Sequence, residues 1–257
     1  MDLIIIGFFA AFASLLTFFS GFGLGTILLP VFAVFFPMDV AIALTGIVHL
    51  LNNLFKMTLV GKKANWRVVL KFGIPAIIGA FFGAQLLMRV SGETQLASYD
   101  LLGETFYITP IKLTIAILMI SFSLLEITPM LKKIKFNKER PYAGGLISGF
   151  FGGLSGHQGA LRSVFLIKYG LPKEAYIATG VFIASVIDIT RISVYFTKMS
   201  DIDISGNILT LSVAVGAAFV GAVIGKLLLK KITLGFVQIT VMIMIILLGI
   251  ALGLGLL

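Results

Sequence analysis

The chain has 257 residues, 59% of them hydrophobic and 12% charged, with a formal net charge of +9. Soluble domains carry about 25% charged residues, so a water-soluble core is excluded and a polytopic membrane protein is expected. There is no cysteine, which removes disulfides, thiolate metal sites and thiol catalysis.

The first apolar run, Leu3 to Phe36, is too long for one comfortable helix and is interrupted at Ser20-Gly21-Phe22-Gly23-Leu24-Gly25. Its opening part lacks a basic leader, so it reads as a membrane segment rather than a cleaved signal peptide. Two arms of roughly 15–17 residues reach only about 22–26 Å each, which predicts a helical hairpin closed by Pro37. Val40 to Val60 is the next span and carries His49, Asn52, Asn53 and Lys56; Lys56 is expected to snorkel to the surface. A basic loop with one tryptophan, Gly61 to Arg67, follows and reads as an interface anchor.

Val68 to Met88 spans again, with Gly79 and Gly83 at the spacing of closely packed helices. Arg89 to Tyr107 is the longest polar stretch, Ile108 to Ile127 spans, and Lys132 to Arg140 is the densest basic loop. Tyr142 to Tyr169 is the second interrupted run, and Pro172 closes it. Ala175 to Phe196 spans with Asp188 and Arg191 inside it; Ile208 to Leu229 and Leu234 onward complete the chain.

The two halves match. Ser20-Gly21 pairs with Ser155-Gly156, Pro37 with Pro172, Thr45-Gly46 with Thr179-Gly180, Asn53 with Asp188 and Lys56 with Arg191, at an offset of 134–135 residues. The basic residues cluster in short loops, where they act as orientation signals rather than as a nucleic-acid surface. Lys62, Lys63, Arg67, Lys132–Arg140, Lys168 and Lys173 then fall in the cytoplasm, while Asp100, Glu104, Asp201 and Asp203 fall outside. Matching spans therefore run in opposite directions, and both interrupted runs turn back on themselves. The expected fold is an all-α polytopic membrane protein of two inverted-topology repeats, each a broken hairpin plus three transmembrane helices. Residues 1–130 form the first repeat, 131–140 a basic cytoplasmic linker and 141–257 the second repeat. Both termini are expected outside the cell (inner) membrane. Such repeats place the solute site at their interface near the bilayer midplane.

The sequence Ser20-Gly21-Phe22-Gly23-Leu24-Gly25, the segment from Gly144 to Gly156, and Thr179-Gly180 after Leu171-Pro172 together resemble the sulfite exporter TauE/SafE family of anion permeases. The resemblance covers essentially the whole chain. It implies transport of small sulfur-containing or organic anions such as sulfite or sulfonates. His157-Gln158-Gly159-Ala160 departs from the more uniformly small and apolar run expected at this point of the family pattern.

Candidate solute contacts follow from chemistry. Gly152, Gly153, Gly156 and Gly159 read either as tight packing or as an unwound turn whose N–H groups face an anion. Arg162 and Arg191 offer planar forks for an oxyanion. His157, Gln158, Ser155, Asn52, Asn53, Ser20 and Gly21 complete the expected binding set, and Asp188 and His49 are the expected coupling or ion-pair residues. Asp188 and Arg191, at i and i+3, share a helix face.

No phosphate-binding loop, HExxH or nucleophile elbow is present, so no cofactor, metal or catalytic residue is expected. The partners expected are a small anion and the lipid bilayer, not nucleic acid; coupling to protons or sodium and assembly as a homodimer are left open. The leading reading is a secondary transporter, an exporter working by alternating access. A passive anion channel is the alternative. An intramembrane enzyme built on His157 with Ser155 or Ser163 has nothing to orient its groups.

Overall fold

The computed structural model describes residues 2–19, 23–90, 95–101, 103–127, 141–198, 205–228 and 234–257. Ten α-helices lie among them. In the first half these are α1 (Asp2–Phe19), α2 (Leu24–Phe35), α3 (Met38–Val60), α4 (Trp66–Val90) and α5 (Pro110–Ile127). In the second half they are α6 (Pro141–Ser155), α7 (Gln158–Leu166), α8 (Lys173–Lys198), α9 (Ile208–Leu228) and α10 (Leu234–Gly253). The helices α3, α4, α8 and α9 are long and apolar enough to cross a membrane. The expected linker 131–140, Ser20 and Gly21 lie outside the described residues.

The described residues are mostly helical, consistent with the expected all-α membrane protein, with one small piece of sheet added. The polar stretch before α5 contains a two-stranded antiparallel hairpin, β1 (Ala97–Leu101) and β2 (Glu104–Ile108). Gly103, at φ 87°, makes the turn, a conformation that glycine adopts without steric cost. Tyr99 and Phe106 face each other across the strands and stack at 5.6 Å. The Tyr99 hydroxyl donates to Leu254 O at 2.7 Å, pinning the hairpin to the end of α10.

The helices pack in specific pairs. Within the pair α4 and α6, a Cβ on Gly79 would overlap Leu146 O, and one on Gly149 or Gly153 would overlap the carbonyls of Ala76 or Ala80. The two backbones touch directly, so the absence of side chains is what allows the contact. Residues 72, 76 and 80 meet 145, 149 and 153 in the same order, and the two helices run parallel. The pair α1 and α9 is also parallel, with Gly7 against Val213, Ala11 against Gly221 and Phe18 against Gly225.

The contacts of α3 with α8 have the opposite sense. Gly46 meets Ile192, His49 meets Asp188 and Asn65 meets Thr179, so these helices run antiparallel. The pair α5 and α10 is antiparallel as well, Ile120 meeting Gly249 and Ala116 meeting Gly253. Lys62, Lys63, Glu174 and Lys226 line one groove, which puts the end of α3, the start of α8 and the end of α9 on one face. The β-hairpin and the end of α10 share a face with each other.

In the first interrupted run, α2 is buried continuously from Leu24 to Phe32, as a helix surrounded by protein must be. In the second, the break is narrower than the glycine pattern predicts. The helix α6 runs to Ser155 and α7 begins at Gln158, leaving Gly156 and His157 between them. Gln158 to Ser163 are helical. Gly152 and Gly153 lie inside α6, and a Cβ on Gly152 would come within 2.8 Å of Gln158 Cβ. Those two glycines serve packing. Only Gly156, at φ 78°, turns the chain.

Candidate functional site

The site is built where α3 and α8 cross between the two breaks. Gly23 precedes α2 and Gly156 follows α6. A Cβ on Gly23 would stand 2.9 Å from His49 Nε2 and 3.8 Å from Gly156 O. The breaks therefore approach each other with His49 between them. Each is followed by a helix N-terminus, whose free N–H groups and dipole give the region a positive bias.

Asp188 is the hub. It is fully buried in α8, a position that costs several kcal/mol for an uncompensated carboxylate. Compensation comes from three helices. His49 Nδ1 lies 2.6 Å from Oδ2, and Asn53 Nδ2 donates to the same oxygen at 3.1 Å, both from α3. Arg191 Nε donates to Oδ1 at 3.0 Å from the same face of α8. Gln158 Nε2 reaches Oδ1 at 3.5 Å from the first turn of α7. The partners 49 and 188 are far apart in sequence and meet only because α3 and α8 pack antiparallel.

Two further cations surround this hub. Arg162 Nη1 donates to Gln158 Oε1 at 3.4 Å, one helical turn along α7. Its side chain lies against Gly180, where a Cβ would come within 3.3 Å of Nε. Lys56 corrects an expectation: it is 4% exposed and does not reach the surface. Its Nζ stands 5.5 Å above the Phe18 ring. The Asn52 amide orientation that satisfies its neighbours lets its oxygen accept from Lys56 Nζ at 3.1 Å and its nitrogen donate to Ala218 O at 3.2 Å. Ser14 Oγ is 3.1 Å from the same amide.

A small cavity of about 40 Å³, partly open, lies beside these groups. Its polar lining includes His49, Asn53, Lys56 and Arg162, with Gly23 and Gly180 in its walls. Arg191 is 2% exposed and outside that lining. A Cβ on Gly156 would come within 2.7 Å of its Nη1, so the break exposes backbone to the guanidinium. Its Nη2 has no hydrogen-bond partner among the described residues, and neither does either ring nitrogen of buried His157.

The remaining expected contacts separate. Ser155 Oγ donates to Phe151 O at 3.1 Å and is occupied within α6. Gly159 is buried in the first turn of α7. Asn52 is turned toward Ser14 and Lys56 rather than toward Asp188.

Sequence reasoning missed the burial of Lys56 and the part played by Tyr195, whose hydroxyl donates to Gly153 O at 2.6 Å and ties α8 to α6. Both were signalled. Lys56 lies at the same sequence offset from Arg191 as Asn53 from Asp188, and it sits at i+4 and i+3 from Asn52 and Asn53. Tyr195 is at i+4 from Arg191.

Buried or half-buried around one carboxylate, three basic side chains from three helices make a site with surplus positive charge. No curated protein matches the chain. The profile of the family described as "Sulfite exporter TauE/SafE" matches residues 3–252, and the protein belongs to that family.

Proposed function

We propose that the protein is a secondary transporter, working by alternating access, that exports a small sulfur-containing or organic anion such as sulfite or a sulfonate. Family membership makes it a multi-pass membrane transporter of the sulfite- and anion-exporter type. The observation that carries the solute class is the charge imbalance: Lys56, Arg162 and Arg191 are buried or half-buried against Asp188 alone among the described residues. Excess buried cations are stabilised by a bound anion, and arginine forks suit the paired oxygens of a sulfonate or sulfite.

The proposed mechanism rests on two inverted repeats, 1–130 and 141–257, joined by the basic linker. Antiparallel packing of α3 with α8 and of α5 with α10 supports inversion. Repeats related by an axis along the membrane normal would make those matched pairs parallel. The parallel pairs α4–α6 and α1–α9 are equivalent under the same operation. Lysines of the α3 and α9 ends sharing one groove support a cytoplasmic assignment for that face. In the same scheme both termini lie outside. His49 and Asp188 are the proposed coupling pair, and their 2.6 Å contact supports protons as the coupling ion.

The test is reconstitution in liposomes. Sulfite or methanesulfonate trapped inside should exchange against external anion, and Arg162→Ala and Arg191→Ala should abolish exchange while the protein remains monodisperse. Unchanged exchange in both variants removes the proposed site. Steady anion conductance without counterflow identifies a channel instead.

A further inference from the structure

The arginines of the site do not form one clamp. Arg162 Nη1 donates to Gln158 Oε1, Gln158 Nε2 reaches Asp188 Oδ1, and Arg191 Nε donates to that same oxygen. The two guanidinium groups are thus the ends of a relay whose middle is an amide and a carboxylate.

The surroundings of the two ends differ. Arg162 lies against Gly180 and shares the open cavity with Lys56. Arg191 lies against Gly46 and Gly156, outside that cavity. Gly180 and Arg191 are separated by about 16 Å of helix α8, and Gly46 and Lys56 by about 15 Å of α3, at 1.5 Å per residue. Because α3 and α8 are antiparallel, both separations point the same way. Lys56 and Arg162 are displaced toward the face that carries Lys62, Lys63 and Lys226, and Arg191 toward the other.

The enclosed end has the marks of a binding locus. Arg191 Nη2 and both ring nitrogens of His157 are buried donors or acceptors without partners among the described residues. The hydroxyl of Thr45 in α3, beside Gly46, is buried and unpartnered too. An oxyanion accepts from all of these except an unprotonated ring nitrogen, so one small ligand chemistry satisfies the group.

We propose that the anion is held at two stations in succession: an open one at Lys56 and Arg162, and an enclosed one at Arg191 and His157. Asp188 and Gln158 stand between them. The inference rests on the anion-transport reading and deepens it. Lys56 and Arg191 are matched by the repeat offset, so each half of the chain contributes a cation to a different station, while Arg162 and His157 both come from the second half; the two stations are displaced toward opposite sides of the membrane.

The experiment separates binding from translocation. Equilibrium binding of radiolabelled sulfite to the purified full chain is compared with counterflow in liposomes. Lys56→Gln and Arg162→Gln should each weaken binding by about tenfold or more, as expected for loss of a charge-assisted hydrogen bond. Arg191→Lys keeps the charge beside Asp188 but removes the planar fork. It should weaken binding less than Lys56→Gln does while slowing counterflow by about tenfold or more. His157→Asn should show the same split and serves if Arg191→Lys does not fold. Equal loss of binding in all four variants means a single station and overturns the proposal. So does unimpaired counterflow in Arg191→Lys and His157→Asn. Wild-type protein that neither binds nor exchanges sulfite or methanesulfonate overturns the transport reading itself, which is a distinguishable result.

Discussion

Replacing Asp188 with asparagine removes one charge and almost no volume, so it isolates the electrostatic role of the carboxylate. Asparagine Oδ1 can still accept from Arg191 Nε. Its Nδ2 would replace the oxygen that now accepts from Asn53 Nδ2 at 3.1 Å, setting two donors against each other. His49 Nδ1 could meet that amide only as an acceptor, in its other tautomer. At least one hydrogen bond to a charged group is lost, worth about 1.5–3 kcal/mol. Arg191 is left as a buried cation with no counter-charge among the described residues. Breaking a buried pair from one side costs about 3–5 kcal/mol, and that is the expected loss for Asp188→Asn.

The partner variant predicts a different number. Arg191→Gln leaves a carboxylate that retains His49, Asn53 and Gln158, and His49 can take up a proton. Its cost should be smaller than that of Asp188→Asn. The double variant carries no orphan charge and should recover at least about half of the loss, a coupling within the range seen for contacting residues. Unfolding in mixed micelles with increasing denaturing detergent, followed by circular dichroism, measures all three. Transport should be absent throughout. Wild-type stability in Asp188→Asn, or a double variant no more stable than that single one, refutes the hub.

Gly149→Leu inserts a side chain where α6 touches the Ala76 backbone and should cost about 3 kcal/mol or prevent accumulation in the membrane. Gly216→Leu on α9, where a Cβ would meet nothing within 4 Å, should stay within about 0.5 kcal/mol; the same unfolding assay compares them. Gly156→Ala should lose about 1–2 kcal/mol from its left-handed backbone and lose counterflow as well, since the new methyl meets Arg191 Nη1. The chain is free of cysteine, so single cysteines at Lys62 and Asp100 can be labelled without background. Membrane-impermeant maleimide applied to whole cells should modify the second and spare the first.

Parts of this fold were legible because they are written in local chemistry. The two glycine-rich interruptions and the prolines after them mark the broken runs, and the spacing of Gly79 and Gly83 marks a close helix contact. The β-hairpin was not legible, since its strands are short and half polar, and a stretch such as Ala97–Leu101 reads as a loop until Gly103 and Tyr99 are seen together. The extent of the second break was overread for a related reason. Glycines that unwind a helix and glycines that let two helices touch look alike in sequence, and only the α4 backbone beside Gly149 and Gly153 tells them apart. Lys56 was misplaced because a lysine near a helix end usually reaches water. That expectation outweighed the weaker signals, its spacing from Asn52 and Asn53 and its offset match to Arg191.

The asymmetry at the centre follows from the packing of α3 on α8. Asn53 and Asp188 occupy matched positions in the two halves and touch each other at 3.1 Å. Two aspartates there would be like charges in hydrogen-bond contact, and one would be driven to hold a proton. Two asparagines would leave Lys56, Arg162 and Arg191 without any buried counter-charge. One of each satisfies both constraints, because the amide donates to the carboxylate and the carboxylate offsets part, but not all, of the positive charge. The uncompensated remainder is what a transported anion can neutralise. The residue on which this asymmetry rests, Asp188, is the one to which His49, Asn53, Gln158 and Arg191 all turn.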